Sequence, residues 1–183
     1  METRRDLLRI VAAAAASGFA AEAAQQAPGG VAEAVERART VGRQYARQYG
    51  NCAQCTIAAL QDAVASVPKN RDIFLAGSCL HGGATRTGNA NCGGFTGAAI
   101  VIGELYGRPR DRFADRQAGA LANKLVQEMA GKYEAAYGSV ICRDVREKAA
   151  RNCPEVVGQA AAWAAEIILA QSSAPLVPGP GKR

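Results

Sequence analysis

The sequence predicts an all-α protein, an irregular bundle of about five to seven helices. Apolar residues recur at spacings of three and four along most of the chain, and no stretch alternates long enough to read as a strand. Aromatic residues make up 5% of the chain while alanine is abundant, which suits closely packed helices better than a β-sandwich. Glycine, proline and asparagine fall between the periodic segments, where helices should start and stop. With 183 residues the chain is long enough to bury one core.

The first helix is expected from Val31, with Val31, Val35, Ala38, Gly42, Tyr45 and Tyr49 as its apolar stripe. Arg37, Arg39, Arg43 and Arg47 fall mostly off that stripe, and Gly50 supplies the stop. A second helix starts at Asn51-Cys52-Ala53-Gln54-Cys55 and runs to about Ser66 before Pro68, burying Ile57, Leu60 and Val64. A shorter one covers roughly Asp72 to Cys79. Residues 81–91, with glycines at 77, 82, 83 and 88 in or around them, read as an ordered loop.

The central helix opens at Cys92, is apolar on nearly every side, and closes at Gly107 and Pro109. Arg110 to Tyr137 carries one long amphipathic pattern through Ala118, Leu121, Ala122, Leu125, Met129, Tyr133 and Tyr137. A short helix bearing Cys142 follows Gly138-Ser139. The last helix runs from Cys153 to about Gln171, with Val156, Val157, Ala160, Trp163, Ala164, Ile167 and Ile168 turned inward.

The N-terminus reads as an address. Thr3-Arg4-Arg5-Asp6-Leu7-Leu8-Arg9 precedes a short Ala-rich apolar run, and Ala21-Glu22-Ala23 offers a cleavage site. Residues 1–23 thus resemble a twin-arginine export signal, which implies export of the folded protein to the periplasm or cell envelope of a bacterium. Asp6 and Glu22 argue against a mitochondrial-type transit peptide, and the apolar run is too short and weak for a stable membrane anchor. Residues 24–30 read as a flexible leader, 31–171 as a cysteine-containing helical domain, and 172–183, with its prolines and glycines, as a disordered tail. The net charge of +6 is not gathered into Lys/Arg runs interleaved with aromatics, so no nucleic-acid partner is expected.

Three of the six cysteines follow asparagine, at Asn51-Cys52, Asn91-Cys92 and Asn152-Cys153, each at a predicted helix start. Asparagine is a favoured N-cap, so each of these thiols is expected at the first helical position, with Cys142 in a first turn capped by Ser139. There the helix dipole and unpaired N–H groups should favour thiolate and lower the pKa. The plainer alternative is that asparagine caps are common and cysteines pack as small hydrophobes. Cys52 and Cys55 form a C-x-x-C, followed by Thr56 where covalent haem attachment would need histidine. Cys79 is either a pairing partner or a lone buried thiol. His81, the single histidine, is either a proton donor or ligand at a thiol site, or a loop residue capping a helix end. No Ser/His/Asp set, paired catalytic carboxylates or phosphate-cradling loop is present in the pattern.

Cys92-Gly93-Gly94-Phe95-Thr96-Gly97 matches the motif Cys-Gly-Ala-x-x-Gly, and Cys52, Cys92, Cys142 and Cys153 align in order with a family quartet. On these residues, across roughly Val31 to Gln171, the chain resembles the redox-active family named for its C_GCAxxG_C_C pattern. The resemblance implies a redox or metal-linked role and brings no substrate or cofactor with it. Gly94 stands where the motif has alanine, a change expected to loosen packing without altering chemistry. Gly93, Gly94 and Gly97 are expected to make room for a helix or ligand against Cys92.

Three functions follow from these residues. The favoured one is thiol–disulfide exchange with an unidentified redox partner protein, cycling Cys52 with Cys55 or with Cys92 while Cys142, Cys153 and the rest support or resolve. The second is a zinc or iron–sulfur module on Cys52, Cys92, Cys142 and Cys153. The third is a disulfide-stapled structural domain acting through a partner.

Overall fold

The computed structural model of the chain describes residues 28–172. The expected export signal, the leader up to Ala27 and the tail beyond Ser172 lie outside these residues. The chain divides at Gly30, and the unit beginning at Val31 carries the helices that build the core. Seven α-helices are described: α1 (Pro28–Tyr49), α2 (Cys52–Ala63), α3 (Arg71–Ala76), α4 (Gly93–Tyr106), α5 (Ala120–Tyr137), α6 (Cys142–Lys148) and α7 (Cys153–Ser172). Two 3-10 turns, Arg110–Arg112 and Arg116–Gly119, join α4 to α5. Among the described residues no strand forms, and one isolated antiparallel bridge pairs Asn91 with Ile141. The fold is all-α, as the periodicity predicts.

Several boundaries differ from the sequence expectation, each for a local reason. Helix α1 begins at Pro28, whose fixed φ suits a first turn, so Pro28 to Gly30 are helix rather than leader. Its buried line is Ala34, Ala38 and Gly42, and Tyr49 at the end of the expected stripe is 65% exposed. Gly50 ends it with φ +76°, a conformation glycine adopts without cost. Helix α2 stops at Ala63 because Val64 turns extended, yet Val64 stays buried. Helix α3 starts at Arg71 because Asn70 Oδ1 accepts the N–H groups of Asp72 and Ile73, and it ends at Ala76. The pattern from Arg110 to Tyr137 is not one helix. Asp115 accepts the Gln117 N–H and closes a local turn instead, and Leu121, at the start of α5, is 42% exposed.

Helix α4 lies at the centre, against α2, α5 and α7. Its approach to α2 depends on Gly97, where a Cβ would sit 2.5 Å from the Ala53 carbonyl oxygen. Gly42 and Gly158 do the same where α1 crosses α7. Ile57, Leu60, Ile102, Leu125, Met129, Ile167 and Ile168 are fully buried between these helices. Each such side chain contributes roughly 1.5–3 kcal/mol by leaving water. No helix of the described residues is long and apolar enough to cross a membrane.

Candidate functional site

The N-terminus of α2 forms as the sequence predicts. Asn51 Oδ1 accepts the Gln54 N–H at 3.1 Å, and its Nδ2 donates to the Ser78 carbonyl at 2.9 Å. Cys52 is therefore the first helical residue. Thr56 Oγ1 donates to the Cys52 carbonyl at 2.9 Å. The Gly82 N–H donates to Cys52 Sγ at 3.4 Å. On the opposite side a Cβ on Gly93 would run into the same sulfur. Cys52 Sγ is thus lodged between the loop and the start of α4.

Cys92 departs from expectation. It is the N-cap of α4, and Asn91 has left the helix to bridge Ile141. Cys92 N–H donates to the Val140 carbonyl at 2.7 Å, Cys142 N–H to Ala90 at 2.9 Å, and Arg143 N–H to Gly88 at 3.0 Å. Those bonds draw together two cysteines far apart in sequence. Cys142 is the first residue of α6, but Ile141 is its N-cap and has no side chain able to cap. Ser139 Oγ accepts the Ile141 N–H at 3.0 Å and donates to Asp144 at 2.9 Å, so it braces the entry without capping the helix. Cys153 opens α7, where the Asn152 backbone carbonyl accepts the Glu155 N–H at 3.1 Å. Of the three asparagines only Asn51 caps with its side chain.

These elements enclose a cleft of about 300 Å³ lined by Cys52, Cys92, Cys142 and Cys153, together with His81, Gly82, Arg86 and Arg146. Cys55 is buried outside the cleft lining, and Cys79 is exposed and also outside it. All six cysteines are free thiols. His81 Nδ1 lies 3.1 Å from the Ser78 carbonyl, which can only accept, so Nδ1 carries a proton and Nε2 of the neutral ring is left as the acceptor.

The loop over the cleft is a left-handed turn. Gly82, Gly83, Ala84, Thr85 and Arg86 all have positive φ, between 55° and 69°. Each non-glycine residue there costs about 1–2 kcal/mol. Hydrogen bonds from Thr85 N–H to Cys79, Arg86 N–H to His81 and Gly88 N–H to Gly82 hold the turn closed, at 3.0–3.2 Å. At Gly83 a Cβ would meet Cys142 Cβ at 2.8 Å, so the turn lies directly on the quartet.

Burial outweighs the helix termini in setting thiol acidity. Burial pushes Cys92 up to about 12 and the charge of Cys52 adds to it, against the Gly94 N–H, the Tyr133 hydroxyl and the Phe95 N–H. No side-chain hydrogen bond caps α4, so those N–H groups lean toward Cys92 without full hydrogen-bond geometry. Burial, then the charge of Cys52, takes Cys55 up to about 11. Burial also raises Cys142 and Cys153, while Arg146 pulls both back down. The expectation of acidified thiols is corrected at Cys92, Cys142 and Cys153, because desolvation exceeds what a helix terminus supplies. The charge of Cys52 adds to the rise at these three and at Cys55, behind burial.

The reading of Gly94 is corrected too. A Cβ there would sit 2.7 Å from the Tyr133 hydroxyl and 3.1 Å from Ala160 Cβ. Tyr133 is fully buried and its hydroxyl donates to Cys92 Sγ at 3.9 Å. Its ring is boxed by Phe95, Tyr137 and Trp163, with centroids 5.4–5.5 Å away. The methyl missing at position 94 is the space that hydroxyl occupies. Sequence reasoning placed Tyr133 in the core only, although a glycine in place of the motif's alanine leaves room that some group must fill. Arg146 was missed as well; it follows Cys142 by four residues, the spacing that puts both on one helix face.

Residues 50–167 match the family model described as "Putative redox-active protein (C_GCAxxG_C_C)". The chain belongs to the C_GCAxxG_C_C family. No curated protein and no solved structure matches it. In this C_GCAxxG_C_C protein the quartet does gather at one cleft. Among the described residues, however, no three His, Cys, Asp or Glu side chains are grouped so as to hold a metal ion. Cys52, Cys92, Cys142 and Cys153 thus line one cleft without converging on a single metal-ion position.

Proposed function

We propose that this C_GCAxxG_C_C protein performs thiol–disulfide exchange, with Cys52 as the attacking thiol and Cys92 as the resolving one. The observation that carries this is the seat of Cys52 Sγ on the cleft wall, receiving the Gly82 N–H and resting over Gly93 beside Cys92. Cys52 is half-buried and Cys92 buried, the order expected of an attacking and a sheltered thiol. His81 lines the same cleft as Cys52, and we assign it as the base that takes the Cys52 proton. Attack forms a mixed disulfide and leaves Cys52 uncharged. The repulsion that helps hold Cys92 protonated then vanishes, and the Tyr133 hydroxyl and Gly94 N–H steady the new thiolate. Burial still holds Cys92 high, so Cys92 reacts second, once the mixed disulfide presents Cys52 Sγ to it. Cys142 and Cys153 share the cleft and form the supporting pair.

The reading also takes the protein to be exported through its twin-arginine-like N-terminus to the cell envelope, where disulfides form and persist. An unidentified redox partner protein would there exchange electrons with it.

The test is trapping. Reduced wild-type protein, Cys92→Ser and Cys55→Ser are mixed with a small disulfide and their adducts mapped by mass spectrometry. Cys92→Ser should accumulate a mixed disulfide on Cys52, while wild type and Cys55→Ser proceed to an internal Cys52–Cys92 bond. Accumulation in Cys55→Ser instead would move the resolving role to Cys55. A wild-type protein that forms no adduct and no internal bond would end the proposal.

A further inference from the structure

The cleft carries a charge signature that the exchange reading does not use. Its charged lining side chains are Arg86 and Arg146, and no carboxylate belongs to its wall. Neither guanidinium has a carboxylate partner among the described residues. The nearby acids are turned elsewhere: Asp144 accepts from Ser139 and pairs with Arg143, and Glu155 pairs with Arg43. Arg86 is held in the wall by the left-handed turn, at φ +69°, a backbone state kept only where the surroundings enforce it. Arg146 reaches Cys153 and acts on Cys142 as well. The remaining wall, with Val145, Val156 and Val157, is apolar.

We infer that the substrate of this cleft is a low-molecular-weight disulfide, or its thiol, that carries carboxylate groups. This rests on the thiol-exchange reading and adds the chemical class. About 300 Å³ accepts a small molecule with a sulfur–sulfur bond and short arms. Arg86 and Arg146 receive the carboxylates and place the disulfide over Cys52 Sγ. The Cys52 thiolate attacks the nearer sulfur, the substrate S–S bond breaks, and one carboxylated thiolate leaves toward Arg146. Cys92 thiolate then attacks Cys52 Sγ, releasing the second. Two electrons pass from the two cysteines to the disulfide, and the two cysteine protons end on the two product thiols or in solvent.

The experiment compares three aliphatic disulfides by stopped flow with the reduced full chain at low salt: dithiodipropionate (dianionic), hydroxyethyl disulfide (neutral) and cystamine (dicationic). Each rate is divided by that of free mercaptoethanol with the same disulfide, which removes intrinsic reactivity. The dianion should exceed the neutral compound by about tenfold or more, with the dication slowest. Arg86→Gln with Arg146→Gln should bring the ratio to within about threefold of one. Arg116→Gln, outside the cleft, removes charge without changing the ratio. Equal normalised rates, or a preference that survives the double Arg variant, overturn the carboxylate assignment and leave exchange standing. If no disulfide oxidises the wild-type thiols, the exchange reading and this one fall together.

Discussion

Asn51-Cys52-Ala53-Gln54-Cys55-Thr56 and Asn91-Cys92-Gly93-Gly94-Phe95-Thr96 start and end alike, and they build different sites. In both, the threonine hydroxyl donates to the cysteine carbonyl four residues back, at 2.9 Å and 3.1 Å. In the first, asparagine caps and cysteine is the first helical residue. In the second the frame shifts by one: Asn91 pairs with Ile141, and Cys92 becomes the cap. The shift leaves Cys52 half-open on the cleft and Cys92 only 5% exposed. A short motif marks a helix start, but pairing with a distant segment decides which residue enters it first. That choice sets which thiol meets the solvent.

The largest effect that can break this contrast is alkaline. Cys92 is pushed from an ordinary 9.0 up to about 12, chiefly by burial. Its protonated thiol therefore contributes stability that is fully present below pH 9 and is lost as pH rises toward 12. One such thiol removes up to about 1.4 kcal/mol per pH unit in that window. Urea unfolding of reduced protein at several pH values from 8 to about 11 should show Cys92→Ser declining less steeply than wild type, by about that slope. Cys55 and Tyr133, also raised, keep part of the decline in both proteins. Parallel curves would mean that Cys92 is not the sheltered thiol.

Next in size is the contact that sets the two helix starts side by side. Gly97→Ala places a methyl 2.5 Å from the Ala53 carbonyl, backbone that cannot rotate away. The cost should be about 1–3 kcal/mol in chemical denaturation, with slower closure of the Cys52–Cys92 bond. Gly103→Ala in the same helix has nothing within 4 Å and should instead stabilise by about 0.5–1 kcal/mol. Equal outcomes at the two positions would mean that α2 and α4 are not in close backbone contact. Tyr133→Phe acts on one sulfur only. It should cost about 1 kcal/mol and slow the resolving step while leaving formation of the Cys52 adduct unchanged. Loss of both steps would assign Tyr133 a general packing role.

How much of this was legible follows from the same contrast. The helices were readable where one apolar face repeats, as from Leu125 through Met129 to Tyr133, because periodicity is a local property. The site of Cys52 was readable because its cap lies one residue away. The site of Cys92 was not, since Val140 and Ile141 form its other half far along the chain. Thiol acidity was misread for a related reason: a helix start is visible in sequence, while the burial that overrides it comes from distant helices. The left-handed turn from Gly82 to Arg86 was legible only as a loop, because Ala84, Thr85 and Arg86 carry no local sign of positive φ.

The smallest effect is the most selective. Asn51→Ala removes the Oδ1 that accepts the Gln54 N–H and the Nδ2 that donates to Ser78, so a cap and a bond to the segment after α3 are lost together. The expected cost is about 1 kcal/mol, within the range of about 0.5–2 kcal/mol for N-cap loss. Asn91→Ala removes a side chain that is exposed and makes no hydrogen bond, while the backbone pairing with Ile141 needs only main-chain atoms. Its cost should stay within about 0.5 kcal/mol. Denaturant midpoints of the two variants, with slopes checked for equality, decide the matter. Equal losses would put Asn91 back at the cap and Cys92 at the first helical position, and the contrast between the two thiols would lose its structural cause.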